Sequence, residues 1–150
     1  MNIDYFMNEA INQARNAFDN QEVPVGGILV DINTYEIIEK SYNRVNKENN
    51  AIYHCEIDLI INACRKLSRK YLNNTVMFVT LEPCLMCASA ISEVHIDKLY
   101  FGAYDEKHGA IEKNKFFLKK KHTFKPEIYG GIMEKDCKSL LEKFFTKLRK

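Results

Sequence analysis

The run Thr75-Val76-Met77-Phe78-Val79-Thr80-Leu81 constrains this chain more than any other stretch. It is too short for a typical helix, β-branched and aromatic residues dominate it, and Glu82-Pro83 closes it, so it reads as a strand. It carries no charge and no apolar–polar alternation, which marks a buried central strand rather than one with a wet face. Such a strand needs partners on both edges and cover on both faces. The rest of the sequence supplies them.

Ile3, Phe6, Met7, Ala10, Ile11, Ala14, Ala17 and Phe18 recur at helical spacing and predict a first helix of about 15 residues. Val25–Ile32 and Glu36–Tyr42 read as a hairpin around Asn33-Thr34. A polar stretch, Asn43–Asn50, precedes a helix over His54–Ser68, and Pro83 starts another that runs to Val94. Lys98–Ala103 and Ile128–Ile132 read as further strands. The last helix shows in Cys137, Leu140, Leu141, Phe144, Phe145 and Leu148, with Leu140, Leu141, Phe144 and Leu148 expected to dock as one face. Tyr104–Lys125 gives no clear pattern beyond an exposed Lys119-Lys120-Lys121. Strands alternating with helices after an opening hairpin give an α/β fold in three layers.

With 150 residues and no repeat or linker, the chain is expected to form a single domain over residues 1–150. The longest apolar run, Val23–Val30, holds a proline and two glycines, so no membrane span is expected. Asp4 and Glu9 replace the basic start of a secretory leader. A cytoplasmic location follows as an expectation, and the five cysteines then read as reduced thiols. Net charge is uneven: residues 1–112 carry 10 basic against 16 acidic side chains, residues 113–150 carry 12 against 4. A basic last quarter on an acidic body suits an anionic partner such as nucleic acid, or is merely a solvated lysine-rich face.

Two short stretches carry chemistry. His54-Cys55-Glu56 opens one helix and Pro83-Cys84-Leu85-Met86-Cys87 opens the next. Cysteines three apart share a helical face, and a helix N-terminus favours their thiolate form. Either stretch alone is weak, since a lone C-x-x-C is often two small core residues and a lone H-x-E an exposed helix start. Together they offer two thiolates and an imidazole, three zinc ligands with a fourth position open to water. Glu56, about 200° around an ideal helix from His54, is poorly placed as a ligand but can serve as a general acid/base. Cys55, Cys64 and Cys137 read as packing, and His95, His108 and His122 have no partner at ligand spacing.

H-x-E followed by P-C-x-x-C resembles the signature of the zinc deaminases. More narrowly, the chain resembles the bacterial tRNA-specific adenosine deaminases, through Glu22-Val23-Pro24-Val25-Gly26, Tyr42-Asn43-Arg44, Thr80 to Ala88, Phe101-Gly102-Ala103, Asp105, Gly109-Ala110 and Phe144-Phe145. The resemblance implies an α/β/α sandwich of cytidine deaminase type with a mixed five-stranded sheet, and a homodimer. It implies one zinc per subunit on His54, Cys84 and Cys87, Glu56 as proton shuttle and Asn43 as a substrate-binding residue. It implies hydrolytic conversion of adenosine to inosine at the wobble position of a tRNA anticodon stem-loop by zinc-activated water. Three stretches depart from the family pattern: Cys55 stands where alanine is usual, Ala51-Ile52-Tyr53 where Pro-Thr-Ala is common, and Ile111-Glu112-Lys113 where Ala-Gly-Ser is common.

Two rival readings remain open at this stage. One is deamination of a free base or nucleoside, guanine or cytosine, on the same fold; the basic last quarter argues against it, because a free base needs no electrostatic footprint. The other is a non-catalytic zinc-containing RNA-binding subunit, which would be expected to lack Glu56.

Overall fold

A computed structural model describes residues 1–119 and 123–149. Its elements are α1 (Ile3–Asp19), β1 (Gly26–Asp31), β2 (Ile37–Tyr42), α2 (Cys55–Leu67), β3 (Thr75–Leu81), α3 (Leu85–Glu93), β4 (Lys98–Ala103), α4 (Phe116–Lys119), β5 (Glu127–Tyr129) and α5 (Glu134–Leu148). The five strands form one mixed sheet in the order β2-β1-β3-β4-β5. β1 pairs antiparallel with β2 and β3, and β3-β4-β5 run parallel.

β3 lies in the middle of the sheet and is buried from Thr75 to Thr80. Its Met77 and Val79 join Leu29, Leu99 and Phe101 in a core with Cys55 and Leu59 of α2 and Ile91 of α3. Its Val76 and Phe78 join Ile28, Val30 and Tyr100 in a second core with Phe6, Met7, Ala10 and Ile11 of α1 and Cys137 of α5. Alternate residues of one strand thus serve two apolar layers, which is why the run shows no polar alternation. The result is the three-layer α/β/α fold.

Local sequence explains the ends that matter for the site. Asn2 caps α1 by accepting the Tyr5 N–H at 3.0 Å. Gly26 lets β1 lie directly against α1, because a Cβ there would overlap the backbone of Ala10 and Ala14. His54 is the N-cap of α2 and Cys84 the N-cap of α3, both with extended backbone.

Three sequence expectations need correction. The third long helix starts at Leu85, not Pro83. The Pro83 carbonyl instead accepts the Ala110 N–H at 3.0 Å, which ties that residue to a neighbouring loop. The last strand is shorter than expected, Glu127–Tyr129, ending where its pairing with β4 ends. Leu148 does not dock and is 66% exposed. Phe18, near the end of α1, already packs on Phe144, so the last turn of α5 has no helix left to cover it. Lys119 is exposed, whereas Lys120, Lys121 and His122 lie outside the described residues.

Candidate active site

α2 and α3 direct their N-termini toward one cavity of about 410 Å³. His54 and Cys84 line it as the two N-caps, and Glu56 reaches it from the first turn of α2. Asn43, just past β2, also lines it. The five residues singled out in the sequence therefore converge: Cys87 completes a cluster with His54 and Cys84 in which all three donor atoms lie within 4.8 Å of one another.

The donor set fits zinc. His54 Nδ1 is 3.5 Å from Cys87 Sγ and 3.7 Å from Cys84 Sγ. Zinc–ligand lengths of about 2.3 Å to sulfur and 2.0–2.1 Å to nitrogen at tetrahedral angles require N···S separations of about 3.6 Å. Ligand chemistry agrees. Hydrogen bonds from Cys87 and His54 pull the Cys84 thiol down to about 4, so it is held as thiolate, while the same contact with Cys84 pushes Cys87 up. The hydrogen bond to Cys84 raises His54 in turn. A helix N-terminus under both sulfurs favours the anion further.

Glu56 is 4% exposed, and burial pushes its carboxyl above the usual carboxylate range. The Cys55 thiol donates to Glu56 Oε1 at 3.3 Å, so this residue packs as expected and also orients the carboxylate. Asn43 Oδ1 accepts the Cys55 N–H at 2.9 Å and so caps α2 from across the loop. That leaves its Nδ2 amide as the donor Asn43 can offer the cavity.

Of the divergent stretches, 51–53 is held from within. Tyr53 donates to Asp58 Oδ1 at 3.1 Å, and Ser41 and Asn62 donate to the same carboxylate. At 111–113 the backbone is engaged: Ile111 and Glu112 N–H groups both donate to Glu82 at 2.9 Å.

Sequence reasoning assigned no role to five polar lining residues, namely Glu22, Asn46, Glu82, Asp105 and His108. His108 lacks ligand spacing, yet its loop carries it to the cavity rim, 4.0 Å from Asp105. Glu22, Glu82 and Asp105 lay inside the stretches that carry the resemblance, which was the available signal.

Residues 1–103 match the model of the cytidine and deoxycytidylate deaminase zinc-binding region. The tRNA-specific adenosine deaminase of Rickettsia bellii is 48% identical over 144 residues, 95% of this chain and 99% of its own length. The chain belongs to the tRNA-specific adenosine deaminase family. The Bacillus subtilis member of that family is 38% identical over 146 residues, 97% of this chain and 89% of its own. A solved structure from work on A-to-I editing by tRNA:A34 deaminases superposes with a TM-score of 0.87 at 38% identity, covering 91% of this chain and 99% of that one. The guanine deaminase of Nitrosomonas europaea superposes with a TM-score of 0.84 at 17% identity, over 95% of this chain and 84% of its own, which is a likeness of fold alone. Placed in the tRNA deaminase family, the His-Cys-Cys cluster sits in a zinc-binding region, and Glu56 beside it is a buried carboxyl lining the cavity.

Proposed function

We propose that this protein is a tRNA adenosine deaminase that hydrolyses the wobble adenosine of an anticodon stem-loop to inosine, releasing ammonia. The observation that carries the reading is a buried carboxyl, Glu56, in the same cavity as a three-donor His-Cys-Cys cluster, in a chain 38–48% identical to the tRNA deaminases compared above. His54, Cys84 and Cys87 would hold one zinc per subunit. Bound zinc supplies the Lewis acidity that makes water a nucleophile near neutral pH, with three protein ligands leaving a position free.

Glu56 moves the protons. Burial raises its affinity for a proton, so it can take one from water, deliver it to adenine N1, and assist the amino group as it leaves. Cys55 holds one carboxylate oxygen in place from behind. The Asn43 amide, held against the start of α2, orients the nucleoside. Substrate RNA reaches the site through unstacked loop bases, which is how a single-stranded adenine enters a pocket. The exposed Lys138, Lys143 and Lys147 of α5 and its C-cap Arg149 suit phosphates of the RNA.

We read residues 1–150 as a single deaminase domain acting in the cytoplasm, where its tRNA substrate lies. A homodimer is the proposed assembly; Ile52 and Ile61, 56% and 50% exposed around one concavity, give it an apolar surface to bury. Among the described residues no helix is long and apolar enough to cross a membrane.

The test is incubation of purified protein with total tRNA, then nucleoside analysis. Inosine appearing with time supports the reading. Conversion of free guanine or cytosine with tRNA left unchanged would replace it with the free-base alternative.

A further inference from the structure

Two carboxylates in the cavity wall are almost wholly buried yet face no cation among the described residues. Glu22 is 2% exposed and Glu82 is 3%. Each is satisfied by backbone N–H groups of a loop that forms one rim. Glu22 Oε1 accepts from Asn46 at 2.9 Å and its Oε2 from Lys47 at 2.8 Å. Glu82 Oε1 accepts from Asp105 at 3.0 Å, and its Oε2 accepts from both Ile111 and Glu112 at 2.9 Å.

The second loop is wrapped closely on its anchor. A Cβ at Gly109 would overlap the Glu82 carboxyl group, and Gly109 bridges to Cys84. A buried charge binding only main-chain donors fixes the path of a loop whatever its side chains are. This explains how Ile111-Glu112-Lys113 can depart from the family pattern without freeing the loop. Both oxygens of each carboxylate already accept main-chain N–H groups, which commits them to holding the loops.

We propose that Glu82 and Glu22 are positioning residues for the RNA substrate, each setting one rim of the cavity by drawing loop N–H groups onto a buried carboxylate. The inference rests on the proposed RNA deaminase reading. Glu82 holds Asp105 and His108 in the wall; Glu22 holds Asn46. Their effect falls on substrate binding more than on the chemical step, because Glu56, His54 and Cys87 are carried by α2 and α3, and of the ligand cluster only Cys84 meets one of these loops, through its bridge to Gly109.

The test uses full-length, zinc-loaded protein carrying Glu82→Gln or Glu22→Gln. A glutamine keeps the shape but must turn an NH2 group toward one set of N–H donors, so the loop opens. Amide exchange should quicken by roughly tenfold or more over residues 105–112 in the first variant and over 45–47 in the second, each leaving the other loop unchanged. With an anticodon stem-loop substrate, KM should rise roughly tenfold while kcat changes less than about threefold, since a smaller fraction of the protein is binding-competent. Gly109→Ala, whose Cβ would press on the Glu82 carboxyl group and push the loop off it while residue 82 stays glutamate, should reproduce the Glu82→Gln pattern of loop exchange.

Unchanged loop exchange, or loss of kcat with KM constant, would overturn the proposal. So would loss of zinc together with a general fall in melting temperature, which would make the two residues plain supports of the fold. A wild-type protein that yields no inosine from any RNA defeats the functional reading instead, and the exchange measurement still judges the anchors.

Discussion

Replacing Glu56 with glutamine separates proton transfer from everything else the site does. The change preserves volume, and the Cys55 thiol, 3.3 Å from Oε1, can still donate to the new amide oxygen. The three zinc-ligand candidates are His54, Cys84 and Cys87, so the variant should bind zinc as the wild type does. Its fold should hold too, because the substitution neutralises a group that burial already drives toward its neutral form. What it removes is the carrier of protons between water, adenine N1 and the leaving amine. Loss of a positioned general acid/base costs about 10²–10⁴ in rate, or about 3–5 kcal/mol of barrier. Single-turnover deamination of a stem-loop RNA, followed by nucleoside chromatography, reads that loss directly. Metal analysis and a thermal melt on the same preparation read the rest. A variant within threefold of wild-type rate would refute the shuttle role, and one that loses its zinc would make Glu56 part of the metal site.

Other outcomes follow from the same geometry. Cys87→Ser should lose most of the zinc, because a hydroxyl replaces one of two sulfur donors, and metal analysis after gel filtration checks this. Cys137, pushed up to about 12 mainly by burial, stays protonated where an unfolded thiol does not. Below about pH 9 both states hold the proton and nothing changes; above it stability should fall by about 1.4 kcal/mol per pH unit until about pH 12. Denaturant titrations at pH 8.5 and 10.5 should show a smaller alkaline loss for Cys137→Ala than for wild type. Changing Lys143, Lys147 and Arg149 to glutamine should weaken RNA binding and reduce the magnitude of its log–log salt slope by about 2. Melting temperature should barely move, apart from a loss of about 0.5–1 kcal/mol where Lys147 lies 5.6 Å over the Phe18 ring.

Much of this was legible in the sequence because the decisive residues act through their own side chains at fixed spacing. β3 announced itself by composition, and its unbroken apolar run follows from having a core on each face. His54, Glu56, Cys84 and Cys87 were legible because metal and proton chemistry demand particular atoms at particular intervals. Glu22 and Glu82 were not, since their partners are main-chain N–H groups that every residue but proline carries. Asn43 was singled out through the resemblance, but the cap its oxygen places on α2 from across a loop is a contact no local pattern encodes. Tyr104–Lys119 resisted reading because its order comes largely from Glu82 and from the burial of Phe116 and Phe117, not from periodicity. Leu148 was misjudged because helical spacing gives a face but not the length of the surface that covers it.

The most direct measurement uses two anticodon stem-loop RNAs that differ only in where the single loop adenosine stands. One has it at the wobble position and the other a nucleotide away. Zinc-loaded protein should convert the first to inosine, release one ammonia per RNA, and leave the second unchanged. Equal conversion of both, or conversion of neither while a free purine is deaminated, would contradict a tRNA wobble adenosine deaminase.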